Sequence, residues 1–111
     1  MLIEFHRGDY KSISITISGY AGHIEELYFT VKENANSKKV LLQKKIGDGI
    51  EYSEDIKKYV LKFEPKDTDN LEMNKLYGFD FEIIAENKKL KKTFTGQFHL
   101  TNEYTHVEDE V

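Results

Sequence analysis

Four histidines and twenty acidic side chains, with scattered serines and threonines, are the groups in this 111-residue sequence that could carry chemistry; cysteine is absent. Without cysteine there are no disulfides, thiolate metal sites or thiol nucleophiles. His6, His23, His99 and His106 lack the spacing of a zinc site and have no accompanying carboxylate triad. They read as surface residues. Asp67, Asp69 and Glu72 follow Pro65 closely, but the alternating acids, glycine and distal glutamate of a calcium loop are missing. Asp and Thr just after a proline serve a turn and its cap instead. Gly47-Asp48-Gly49 would cradle a phosphate only with a helix after it, and the sequence indicates none. Arg7-Gly8-Asp9 spells an integrin-type tripeptide by chance. No serine stands in a G-x-S-x-G elbow. A paired-carboxylate hydrolase would need a deep cleft, for which a chain this short has little material. The expectation is a protein that is not an enzyme and holds no cofactor or metal.

The elements that would position these groups follow from a period-two alternation along most of the chain. Ile13, Ile15 and Ile17 alternate with serines and Thr16; Leu27, Phe29 and Val31 alternate with Tyr28, Thr30 and Lys32. Val40 and Leu42 open a third run that is broken at Lys44 and resumes at Ile46. Tyr59, Leu61 and Phe63 form another, then Tyr77, Phe79, Phe81 and Ile83, then Phe94, Phe98 and Leu100, with Gly96 in the inner phase. Adding Leu2 to Phe5 as an edge strand gives about seven strands. Each has one apolar face, so two sheets must cover each other. The fold expected is all-β, an immunoglobulin-like antiparallel β-sandwich over residues 1–102, followed by an acidic tail over 103–111 (Glu103, Glu108, Asp109, Glu110). Turns fall at Gly19 to Gly22, Glu33 to Lys38, Gly47 to Gly49 and Glu86 to Lys89. A helical turn is expected from Pro65 to Leu71, with Asp67 or Thr68 as its N-cap.

Net charge is −4, so the sequence lacks the basic footprint of a nucleic-acid binder. The cluster Lys88, Lys89, Lys91 and Lys92 reads as a solvated hairpin tip. Hydrophobic residues make up 39% and charged residues 32%, the balance of an ordered domain. No apolar run reaches the ~18 residues of a membrane helix. The first residues hold Glu4, His6 and Arg7 rather than an apolar signal core. A protein made on the cytoplasmic side, and kept there until something else moves it, is expected.

Two local patterns are sharper. Leu71 precedes Tyr77 by six residues, and Tyr77 opens the strand of Phe79, Phe81 and Ile83, the place of the tyrosine corner in Greek-key sandwiches. There the hydroxyl turns back to the backbone of the preceding connection while the ring packs in the core. Tyr28, Leu41, Val60 and Ile84 are apolar where the alternation calls for polar groups. Gathered on one surface they would form a docking patch for a partner protein or another copy of the chain. Otherwise loops at the sandwich edges bury them.

The punctuating residues form an ordered series: Gly8-Asp9, Gly47-Asp48-Gly49-Ile50, Pro65-x-Asp67-Thr68-x-x-Leu71, Tyr77-x-Phe79-Asp80, then Thr93, Gly96, Phe98, Leu100 and Thr105. The series resembles a family of small proteins from tail modules of phages and prophages of Gram-positive bacteria. It is similar to the N-terminal domain of the baseplate upper protein of lactococcal-type phages. Family members often have Gly just before the Tyr-x-Tyr/Phe-Asp run, where this chain has Asn74-Lys75-Leu76. The resemblance implies an immunoglobulin-like sandwich that is a structural or adaptor component of a tail or baseplate. Its partners would be other tail proteins, and no catalytic residues come with it. A second expectation, from a different class, is a carbohydrate-binding or adhesin-like sandwich. Such sites usually present exposed aromatics; this chain has no Trp, leaving Tyr20, Tyr28 and Tyr104 as substitutes.

Overall fold

A computed structural model describes residues 1–17, 24–34, 36–85 and 90–101. Alternation becomes strand wherever the apolar phase can be covered. The strands are β1 (Leu2–His6), β2 (Lys11–Ile15), β3 (Ile24–Lys32), β4 (Leu42–Ile46), β5 (Gly49–Ser53), β6 (Lys58–Phe63), β7 (Leu76–Ala85) and β8 (Leu90–Thr101), with a short 3-10 turn at Pro65–Thr68. The chain is all-β, and the eight strands of the described residues hydrogen-bond in one continuous order, β1-β8-β7-β3-β4-β5-β6-β2. The sheet turns over between β4 and β5, where only Lys45↔Gly49 and Ile46↔Ile50 pair. Its two halves then face each other. Phe29 of β3 meets Phe63 of β6 edge-on at 5.6 Å between ring centroids, and Phe5 of β1 lies 5.1 Å from Phe63. With β1-β8-β7-β3-β4 in one half and β5-β6-β2 in the other, the connectivity is the Greek key of an immunoglobulin-like sandwich.

Two features differ from the expectation. Among the described residues there are eight strands, β5 being additional, because only Ile50 of Gly49–Ser53 is buried and one apolar residue sets no alternation. The sheet is also mixed: β1 runs parallel to β8, and β4 to β5. Alternation fixes which face of a strand is buried but is the same for either direction.

The core is aromatic. Phe29 is fully buried, and its ring contacts those of Phe63, Phe79, Phe81 and Phe98 at 5.0–6.3 Å. Gly96 keeps its place in the inner phase because a Cβ there would lie 2.5 Å from the Phe79 ring and 2.6 Å from the Met1 carbonyl.

The connection from β6 to β7 ties the halves together. Pro65, with φ preset, occupies the first position of the turn, so the cap falls on Glu64 and not on Asp67 or Thr68. Asp67 sits three residues on, and its Oδ2 accepts from the Glu64 amide at 2.7 Å, the return contact of a capping box. The same oxygen accepts from Lys44 Nζ at 2.7 Å, both side chains being about nine-tenths buried. Gly49 packs on the Lys44 stem with φ +96°, leaving no space for a Cβ. Thr68 is fully buried. Its Oγ1 accepts from the Gly8 amide at 2.9 Å and donates to the Pro65 carbonyl at 3.3 Å. Arg7 donates to the Thr68 and Asp69 carbonyls at 3.2 and 2.8 Å. Tyr77, buried at the start of β7, accepts the Glu72 amide at its hydroxyl at 2.8 Å. Asn74 adopts φ +62°, which asparagine tolerates better than most residues, so the chain turns here without a glycine.

Tyr77→Phe removes one hydrogen bond of net worth about 1 kcal/mol. Asp67→Ala leaves the Lys44 ammonium buried and unpaired, at a cost of about 3–5 kcal/mol. Denaturant unfolding should rank the two variants in that order, and equal midpoints would contradict the corner's energetics.

Candidate functional site

Since Phe29, Val31, Phe79 and Phe81 point inward, the other phase of β3 and β7 forms the outer face of the larger half. Cross-strand pairing sets Glu26 beside Ile84, Tyr28 beside Glu82 and Thr30 beside Asp80. On the other flank of β3, Lys45 and Gln43 of β4 stand opposite Tyr28 and Thr30. Tyr28, Thr30, Val40, Gln43, Asp80 and Ile84 line a shallow groove of about 440 Å³. Gln43 donates to Thr30 Oγ1 at 3.1 Å, and the Tyr28 hydroxyl donates to the Glu26 carboxylate. That bond, with partial burial and the nearby charges of Glu26 and Glu82, raises the Tyr28 pKa above its ordinary 10.0.

Of the docking residues expected from sequence, Tyr28 and Ile84 lie together in this groove. Leu41 packs on the edge of the core, its amide bonded to the Val31 carbonyl at 2.9 Å. Val60 is in the other half, on β6 opposite Ser14 and Glu51. Val40 joins Tyr28 and Ile84 instead, 48% exposed. The run Val40-Leu41-Leu42 hid it, because three successive apolar residues do not say which one faces out.

A second concavity opens at one end of the sandwich. Tyr52 and Tyr59 pair across β5 and β6, their rings 5.1 Å apart and tilted by 66°. With Ile15, Ile17, Ile24 and Ile46 they line a mouth of about 560 Å³, rimmed by Glu25, Glu54, Lys57 and Lys58. Burial, then the adjacent Tyr52, raises the Tyr59 pKa above 10.0. Sequence reasoning placed Tyr59 in the core and passed over Tyr52. The available signal was the spacing Ile50-x-Tyr52 and Tyr59-x-Leu61 about the turn Glu54 to Lys57, which marks a hairpin.

Other chemistry-bearing residues among those described hold the fold together. Across β1 and β8, His99 Nδ1 lies 2.7 Å from Glu4 and His6 Nδ1 lies 2.9 Å from Thr101 Oγ1. The amide of Asp48 bonds back to Lys45 and that of Gly47 to Ile50, closing the β4–β5 turn. Among the described residues no three His, Cys, Asp or Glu side chains group as metal ligands, and no helix is long and apolar enough to cross a membrane. Lys91 pairs with Glu82 at 3.4 Å, and Lys92 stands over the Phe94 ring at 5.3 Å. Tyr20, His23, Lys88, Lys89, Tyr104, His106, the turns Gly19 to Gly22 and Glu86 to Lys89, and the acidic tail lie outside the described residues. Compared with known protein-family models and curated proteins, the chain matches none.

Tyr28 and Tyr59 should each ionise above the 10.0 of a free tyrosine in a residue-resolved phenolate titration, and Glu26→Gln should bring Tyr28 down. Above pH ~10 the unfolded chain loses the Tyr59 proton while the folded chain keeps it, so stability should fall as pH rises. Ionisation of Tyr28 and Tyr59 at or below 10 would contradict both assignments.

Proposed function

We propose that the chain is a non-enzymatic structural or adaptor component of a phage or prophage tail or baseplate, acting through protein–protein contacts. The observation that carries this reading is where the residues of the family resemblance meet. Gly8, Gly49, Asp67, Thr68, Leu71 and Tyr77 are scattered over seventy positions of sequence. They converge on one corner, through Thr68 to Gly8, Asp67 to Lys44 beneath Gly49, and Tyr77 to Glu72. A hydrogen bond joins two motifs of the series directly, from Gly8 to Thr68, and the meeting of such distant motif residues at one corner favours shared descent over chance. The groove of Tyr28, Val40 and Ile84 supports the contact role, since apolar side chains on a polar sheet face mark interaction surfaces.

The paired rings of Tyr52 and Tyr59 beside charged Glu54, Lys57 and Lys58 favour a second reading, a carbohydrate-binding module. Aromatic faces with flanking polar groups suit sugar rings, and an array of bacterial surface glycans tests it: binding lost in Tyr52→Ala supports it, and no binding removes it.

The tail reading is tested by gene position and particle composition. Genes for tail morphogenesis should flank the coding sequence, and mass spectrometry of particles induced from the host should detect the chain. Flanking genes unrelated to phage assembly, with particles lacking the chain, would overturn it.

A further inference from the structure

The parallel partner of β8 covers only part of it. β1 pairs with Gln97 to Thr101, and the Gln97 amide donates to the Met1 carbonyl at 3.0 Å. From Leu90 to Gly96, β8 has β7 on one flank and no strand on the other among the described residues. A row of backbone donors and acceptors therefore faces outward over about seven residues. Beside it lies a cleft of about 450 Å³, lined by Met1, Ile15, Ile17, Phe79, Phe81 and Phe94. Its floor is core, Phe79 and Phe81 each being 5% exposed, whereas Phe94 on its wall is 47% exposed. An open strand edge next to an apolar cleft is the arrangement that binds an extended peptide: the edge supplies main-chain hydrogen bonds, and the cleft accepts alternate side chains.

Charge decides what kind of strand fits. Lys92 stands on this stretch with its Nζ 5.3 Å over the Phe94 ring, while Lys91 beside it pairs back to Glu82 of β7 at 3.4 Å. Lysines on an open edge repel a second copy of the same edge while favouring a partner that brings carboxylates.

We propose that the open flank of β8 from Leu90 to Gly96, with its cleft, receives an extended acidic and apolar segment of a partner polypeptide as an added strand. This rests on the adaptor reading and names its contact. Its test needs neither particles nor gene position, so failure here leaves that reading standing.

The probe is a labelled library of seven-residue peptides in which glutamate precedes alternating apolar residues and threonines, mixed with the full-length chain. Members should bind, shift the amide resonances of Lys91 to Thr95 and slow their exchange. Phe94→Ser, at a half-exposed position, should weaken binding about tenfold or more, ~1.4 kcal/mol, with an unchanged unfolding midpoint. A central proline in the peptide should abolish binding, since it removes a ladder donor. Lys92→Glu should reverse the preference from glutamate to lysine in the peptide. The proposal is overturned if no member binds, if the shifts fall away from β8, if the proline peptide binds equally, or if β8 instead pairs with another copy of the chain.

Discussion

One carboxylate holds the sandwich at its corner. Asp67 Oδ2 accepts both the Glu64 amide that starts the turn and the ammonium of Lys44, which reaches inward from β4. A buried ammonium is costly unless paired and hydrogen-bonded, so Lys44 on the inner face requires Asp67, and Asp67 requires the turn geometry that Pro65 presets. Gly49 then follows, because only a residue without Cβ can lie across the Lys44 stem at φ +96°. The remaining contacts of the connection, Thr68 to Gly8 and Glu72 to Tyr77, extend the constraint to the end of β1 and the start of β7. A sheet that turns over through a two-pair link has little local reason to keep its halves in register. The corner and the Phe29–Phe63 contact supply that reason together, Lys44 standing directly opposite Phe29 across β3 and β4.

Much of this was legible because burial writes itself as alternation. Ile13, Phe29, Val31, Leu61, Phe63, Tyr77, Phe79, Phe81, Phe98 and Leu100 read as inward and pack in or against the core. Tyr77 and Leu71 read as a corner because their spacing implies both a connection and the strand that follows it. The parallel direction of β1 was not legible, since a strand alternates identically either way. Nor was β5, whose single buried residue, Ile50, makes no pattern.

Lys44 shows a different limit. It broke the alternation of its strand and looked like an interruption, when it was the inner-phase residue. Its partner Asp67 is twenty-three residues away, and nothing local connects them. The surface features depend on contacts of the same long range. Tyr28 and Ile84 share a groove through the β3–β7 register, whereas Val60, chosen on the same grounds, faces elsewhere because β6 belongs to the other half. An apolar residue in a polar phase reveals exposure but not company.

The registers also separate stability from recognition in space. Phe63 and Lys11 pair at the corner end of β6 and β2, whereas Tyr59 and Ile15 pair at the far end. Tyr77 and Phe98 likewise pair near the corner, with Ile83 and Lys92 remote from it. The hydrogen-bonded corner therefore crowds one end, and the tyrosine mouth and the β8 cleft open toward the other, sharing Ile15 and Ile17. Sites this far apart, with no common partner, contribute to stability nearly independently. Residues such as Tyr52 and Phe94 can then change without loosening the network that Asp67 and Thr68 hold. In the adaptor role proposed above, that separation would let new contacts be selected at one end while the other keeps the two halves in register.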